Sequence, residues 1–283
     1  MAYPKGILII IGGSVHLPDE SYNDSDDQNT LTEDMDILNS FTNHLEGSTN
    51  RIEIIPTASM TPERTGKDYI NAFRRIGFEN VGILDIRQRA DTLYEDYIKR
   101  IKEAEGILFT GGNQLRLTSI LGGTDFLDIL FHRYHSEPLV IAGTSAGAMA
   151  MSDTMIYGGS SHEALLKGEV YFSAGFGLLN NIIIDTHFVK RGRIGRLFQA
   201  VASNPASLGI GLGEDTGLLI KDGGIKESIG SGLVIIVDGY SIKYSNFAHI
   251  EQGDPISIEN LCVHVMVPGD KFILSERKFI HQE

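Results

Sequence analysis

Apolar residues come in short unbroken runs over the first two hundred positions. Gly6–Ile11, Arg51–Pro56, Val81–Ile86, Gly106–Thr110 and Leu139–Ala142 are nearly all hydrophobic. A half-exposed strand would alternate, so runs without alternation predict strands covered on both faces. Between them the spacing becomes helical. Thr32 to Leu45 carries Met35, Leu38, Phe41 and Leu45, and Gly47 follows as a stop. Thr61-Pro62 places an N-cap residue before a proline at the first helical position, and Gly77 closes that helix. Asp91 to Ala104 repeats the pattern with Leu93, Tyr97, Ile98 and Ile101. Alternating strands and helices predict an α/β fold built on a doubly wound, mostly parallel sheet.

Further on, the strand Ile182–Ile184 leads into a basic helical stretch at Lys190–Val201. After Leu208 the pattern shortens. Thr216–Ile220, Gly232–Val237, Tyr240–Tyr244 and Leu261–Val267 read as strands joined by Gly and Asp turns. This predicts a small β-rich C-terminal extension over about residues 221–283. With no Pro-, Gly- or Ser-rich linker and no internal repeat, the expectation is one domain spanning 1–283.

Composition narrows the functional classes. Hydrophobic residues make up 42% and charged residues 22% of the 283, which is globular. The net charge is −13, from 24 basic and 37 acidic residues. So acidic a chain makes a poor general nucleic-acid binder, and any cationic cluster in it becomes informative. No apolar run approaches the roughly 20 residues that span a bilayer, so no membrane partner is expected. The opening run at Gly6–Gly13 is short and lacks a small-residue cleavage site, and it reads as a buried strand. Cys262 is the single cysteine, which excludes an intrachain disulfide and fits a reducing, cytoplasmic setting. The acidic segment Pro18–Asn29 lacks calcium-loop spacing and reads as a solvated loop; no metal site is predicted.

The strongest chemical signal is Gly143-Thr144-Ser145-Ala146-Gly147, where an apolar strand turns into small helix-forming residues. A sharp strand-to-helix turn exposes the middle side chain, and flanking glycines avoid the clash as the chain doubles back: a nucleophile elbow. Ser145 at a helix N-terminus faces a dipole that favours developing negative charge, and the Ala146 N–H is placed to serve an oxyanion. A hydroxyl nucleophile needs a base, and the base an orienting acid. His187 ends the strand Ile182–Ile184, where catalytic groups collect in open α/β sheets. His132 and His135 read as surface, and His162 as a weaker loop candidate. Gly209–Thr216 is another strand end and offers Glu214 or Asp215 as the acid. The order Ser, His, acid differs from the Ser, acid, His of ordinary α/β-hydrolases. Phe109-Thr110-Gly111-Gly112-Asn113-Gln114 lets backbone approach a ligand closely, with Gly112 a second oxyanion donor and Gln114 a substrate hydrogen bond. Lys190, Arg191, Arg193 and Arg196 form an anion clamp beside the base.

Taken together, Ile11–Gly13, Ile54–Ser59, Phe109–Leu115, Gly143–Met149, Asp185–Leu197 and Gly209–Thr216 resemble the serine peptidase family that holds cyanophycinase and aspartyl dipeptidase. The resemblance runs over roughly residues 5–220. It implies a flavodoxin-like fold, related to class I glutamine amidotransferases with Ser in place of Cys at the elbow. It implies a triad of Ser145, His187 and Glu214, substrate binding by Gln114, Asp185, Thr186, Arg191, Arg193 and Arg196, no cofactor, and a homodimer. The substrate it implies is cyanophycin, a poly-aspartate backbone with arginine on each β-carboxyl, cut through an acyl-enzyme to β-Asp-Arg dipeptides. Thr186 stands where Gln is frequent, and Gly213 where an acid is frequent. An aspartyl or isoaspartyl dipeptidase, or a non-catalytic ligand-binding member, are the alternatives.

Overall fold

The computed structural model of the chain describes residues 3–13, 36–45, 47–222 and 224–281. The first half runs β1 (Ile7–Ile11), α1 (Asp36–Thr42), β2 (Ile52–Ile55), α2 (Pro62–Arg75), β3 (Val81–Ile83), α3 (Glu95–Glu103), β4 (Gly106–Phe109), α4 (Gln114–Leu121), α5 (Asp125–Ser136), β5 (Val140–Thr144) and α6 (Ala146–Ala150). It continues with β6 (Thr154–Gly159), β7 (Val170–Ala174), β8 (Ile182–Asp185), α7 (Ile194–Ser203), β9 (Leu208–Leu212), β10 (Thr216–Lys221), β11 (Gly224–Gly230) and β12 (Val234–Asp238). Last come β13 (Tyr244–Ser245), β14 (Ile258–Glu259), β15 (Cys262–Met266), β16 (Lys271–Ile273) and β17 (Lys278–Ile280).

The α/β class read from the chain is the class observed, with a central, largely parallel sheet. Nine strands lie in the order β17-β16-β11-β10-β1-β5-β4-β2-β3. The pairs β1·β5, β5·β4, β4·β2 and β2·β3 are parallel. All five residues of β1 are buried, and their alternation feeds two cores. Ile7, Ile9 and Ile11 pack with Leu38 and Phe41 of α1 and Tyr69 and Phe73 of α2. Leu8 and Ile10 join Ile101, Leu117, Phe126 and Leu130 on the other face. Helices on both sides explain why the strand carries no polar face.

The strands after residue 180 do not simply continue this sheet. β8 and β9 pair in parallel, and with β12 and β15 they form a second sheet ordered β15-β12-β9-β8. The C-terminal strands are divided between the two. β10 lies antiparallel on β1, with Leu8 opposite Ile220, and β11, β16 and β17 extend that edge, whereas β12 and β15 enter the second sheet.

Several expected boundaries shift for local reasons. Tyr240–Tyr244 is mostly a turn, because the Asp238 carboxylate accepts the Tyr240 N–H at 2.8 Å and folds the chain back. The basic helix starts at Ile194 rather than Lys190, because Gly192 sits at φ 58°. The helix expected at Asp91 is a short 3-10 turn, Arg89–Leu93, separated from α3 by an extended Tyr94. α2 begins at Pro62 as read, with Thr61 at its cap. α1 covers only part of the expected span; Thr32–Met35 and the acidic segment Pro18–Asn29 lie outside the described residues. Among the described residues, no helix is long and apolar enough to cross a membrane.

Candidate active site

The carboxyl ends of β1, β4 and β5 meet at one rim of the main sheet, where open α/β folds bind ligands. Ser145 follows β5 directly, with φ 51° and ψ −110°. That conformation is strained for a residue with a side chain, and it persists only because the surroundings fix it. The Ser145 N–H donates to the Ile11 carbonyl at 2.9 Å. Two residues on, a methyl group at Gly147 would stand 2.4 Å from the Phe109 carbonyl, so only glycine lets α6 pack this closely on β4. Ala146 is the first residue of α6, and its N–H has no intrahelical partner. The β4 loop closes the opposite side: a methyl on Gly111 would stand 3.4 Å from Ser145 Cβ.

His187 and Glu214 arrive from the second sheet, one past β8 and the other past β9. Ser145 Oγ lies 3.0 Å from His187 Nε2, and His187 Nδ1 lies 2.9 Å from Glu214 Oε1. The other Glu214 oxygen accepts from Lys190 Nζ at 2.9 Å. Glu214 is therefore the acid that meets the imidazole. Asp215 turns away, with Oδ2 accepting from Ser231 Oγ. His132, His135 and His162 are exposed elsewhere.

What joins the two sheets is the end of β1. The Gly12 carbonyl accepts the His187 N–H at 2.9 Å, and the Gly13 carbonyl accepts the Asp215 N–H at 3.0 Å. Gly12 itself donates to the Thr216 carbonyl at 2.8 Å. Gly13 has φ 113°, and a methyl there would come within 2.4 Å of the imidazole. The three segments bearing hydroxyl, imidazole and carboxylate thus all hydrogen-bond to Ile11-Gly12-Gly13. Sequence reasoning placed these glycines at a strand end without this role. The signal available was a glycine pair at the carboxyl end of the most apolar strand.

Electrostatics favours proton transfer in this arrangement. Hydrogen bonds from Lys190 and His187 pull the Glu214 carboxyl down to about 2, so it stays ionised. Burial lowers the His187 imidazole from its ordinary value. The Arg191 and Arg193 charges push the same way, and Glu214 opposes them. A neutral imidazole facing a hydroxyl, backed by a fixed carboxylate, can accept the hydroxyl proton as an oxygen attacks an acyl carbon.

The cationic cluster is arranged differently from the expected clamp. Asp185 is fully buried, and its carboxylate is held by the chain's own arginines. Arg193 Nη1 donates to Oδ1 at 3.1 Å. Arg196, 4% exposed, brings Nε to 2.9 Å of Oδ2, an ion pair poorly aligned as a hydrogen bond. Burial pushes the Asp185 carboxyl up while Arg196 and Arg193 pull it down. Asp185 and Arg196 are thus buried against each other; they brace the turn that carries His187, and Arg193 adds a 2.7 Å bond to the Thr186 carbonyl. Thr186 is buried too, its hydroxyl 3.3 Å from Met149 Sδ. Arg191 is exposed, and Gln114 Nε2 donates to the Ile156 carbonyl at 3.2 Å.

Residues 25–228 match the profile of Peptidase family S51. A cyanophycinase of Synechococcus elongatus is 36% identical over 246 residues, which cover 87% of this chain and 76% of that protein. A cyanophycinase of Trichormus variabilis is 38% identical over 242 residues, 86% of this chain and 81% of that one. Among solved structures, a peptidase from an acI-B1 Actinobacterium aligns with a TM-score of 0.62 at 20% identity. That alignment covers 94% of this chain and 98% of the other, and shows a shared fold.

Proposed function

The chain belongs to peptidase family S51 and is a serine-type peptidase, and from that premise we propose that it hydrolyses the poly-aspartate backbone of cyanophycin to β-Asp-Arg dipeptides. The observation that carries the reading is the continuous line from Ser145 Oγ through His187 to Glu214, with contacts of 3.0 and 2.9 Å.

In this reading Ser145 Oγ attacks the scissile carbonyl and His187 Nε2 takes its proton. Glu214 holds Nδ1–H and stabilises the imidazolium that forms. The N–H groups of Ala146 and Gly112 receive the oxyanion. The imidazolium protonates the leaving amine, and water, activated by the same His187, then releases the acyl-enzyme. Each substrate repeat carries a guanidinium and a free carboxylate. Arg191 is the exposed cation for the carboxylate, and Gln114 is the amide beside the β4 loop for the guanidinium. We also read residues 1–283 as one domain, because the C-terminal strands pair into both sheets. A cytoplasmic homodimer needing no cofactor completes the proposal; light scattering tests the oligomer.

The deciding experiment incubates purified protein with cyanophycin and, separately, with α- and β-linked Asp-X dipeptides. Release of β-Asp-Arg from the polymer supports the reading. Cleavage of dipeptides with the polymer intact replaces it with an aspartyl or isoaspartyl dipeptidase, and binding without turnover leaves a ligand-binding member.

A further inference from the structure

Lys190 stands apart from the cations it neighbours in sequence. Arg193 and Arg196 turn inward onto Asp185, whereas Lys190 reaches across to the β9–β10 turn. Its ammonium donates to Glu214 Oε2 at 2.9 Å, while Oε1 of the same carboxylate meets the imidazole at 2.9 Å. One carboxylate is thus divided between a cation and the base it orients. Lys190 and His187 lie on one tight turn, closed by the Arg191 N–H donating to the His187 carbonyl at 3.1 Å. The other charges facing the imidazole are Arg191 and Arg193 on that turn and Glu214 opposite; Asp185 lies beneath, paired with Arg193 and Arg196, and Asp215 points to Ser231.

We propose that Lys190 is a positioning residue for the peptidase reaction: its ammonium pins the outer oxygen of Glu214 and balances that carboxylate's charge, which keeps the inner oxygen on His187 and keeps the imidazole a free base in mildly acid solution. This rests on the reading of Ser145, His187 and Glu214 as the triad. Lys190 is 71% exposed, and an exposed ion pair adds little to folding stability. Its effect therefore belongs in the pH profile rather than in the melting temperature. Removing a positive charge beside the Glu214–His187 pair makes the imidazole hold its proton more tightly, so the acid limb of activity moves to higher pH.

The test compares wild type, Lys190→Gln and Lys190→Arg. The first measurement is kcat/KM from about pH 4 to about pH 9, at low and high salt. The second is the titration of His187 by ¹⁵N NMR, which requires no turnover. In Lys190→Gln the acid limb and the NMR midpoint rise together by roughly half a pH unit, with KM changed less than about twofold. Lys190→Arg restores the wild-type profile, and high salt shrinks the difference. An unmoved limb and midpoint overturn the proposal, as does a raised KM on an unmoved limb, which would make Lys190 a substrate contact. If wild type cleaves nothing, the peptidase reading fails, and the NMR titration still decides whether Lys190 sets the imidazole.

Discussion

The two sheets meet the chemistry in different ways. The main sheet presents Ser145 through a local device: a buried strand, two glycines and a short helix hold one strained residue in place. The second sheet presents His187 and Glu214 through long-range pairing, two parallel strands set beside the first sheet by backbone bonds to Gly12 and Gly13. The turn that presents the Ser145 hydroxyl is thus built by residues within a few positions of itself, with one backbone bond to Ile11 tying it to the junction. The base and its acid are fixed by packing, buried charge and a junction distant in sequence. Each part should therefore fail in its own way.

The largest expected effect is at the local device. Ser145→Ala should lower hydrolysis at least about 10⁴-fold, with urea unfolding unchanged, because the change removes one oxygen and no packing. The second sheet should respond in stability. Asp185→Ala strands Arg193 and Arg196 and should cost about 3–5 kcal/mol in urea unfolding. Unchanged stability with a raised KM would instead favour the substrate-contact role that the family resemblance implies for Asp185. The junction should respond in rate. Gly13→Ala drives a methyl toward the imidazole and should cut kcat/KM about 100-fold by displacing the base. Wild-type activity there would show that the second sheet moves freely against the first.

The smallest effect is the pH profile, which belongs to the second sheet alone. Only neutral His187 accepts a proton, and burial lowers its titration point. Activity should therefore persist below the ordinary histidine value and then fall about tenfold per pH unit as the imidazole charges. Glu214, held down to about 2, adds no second proton to that limb. Its contribution to stability has the sign of a depressed acid. It is fully present above the ordinary glutamate value and lost as pH falls toward about 2, which acid unfolding of Glu214→Gln against wild type would read.

The contrast also explains what was legible in the sequence. Gly143–Gly147 announces the strand-to-helix turn at Ser145 because spacing, strand and turn are all local. The unbroken apolar runs announce the α/β class for the same reason. The partition into two sheets was hidden, since Ile182–Ile184 looks like any other buried strand and its partner lies beyond the helix that follows. His187 and Glu214 were readable as strand ends, although choosing Glu214 over Asp215 required the family resemblance or the structure. The basic run Lys190–Arg196 reads as a single clamp in the sequence, and the structure spreads its side chains apart. Residue type gives charge but not direction, and its four cations point to three different places. Gly192 interrupts the run at positive φ, which separates Lys190 and Arg191 from the helix that Arg193 caps, while Arg193 and Arg196 both meet Asp185.

The glycine hub at the end of β1 has a practical consequence. The hairpin tip at Ser160–His162 divides the chain into a first piece carrying the hub and the hydroxyl, and a second carrying the imidazole and carboxylate. Neither piece holds the whole Ser145–His187–Glu214 line, yet the bonds by which the glycine hub registers them are main-chain. Co-expressed halves cut there would regain turnover only upon docking, which makes the scaffold a template for a split reporter whose signal is hydrolysis itself.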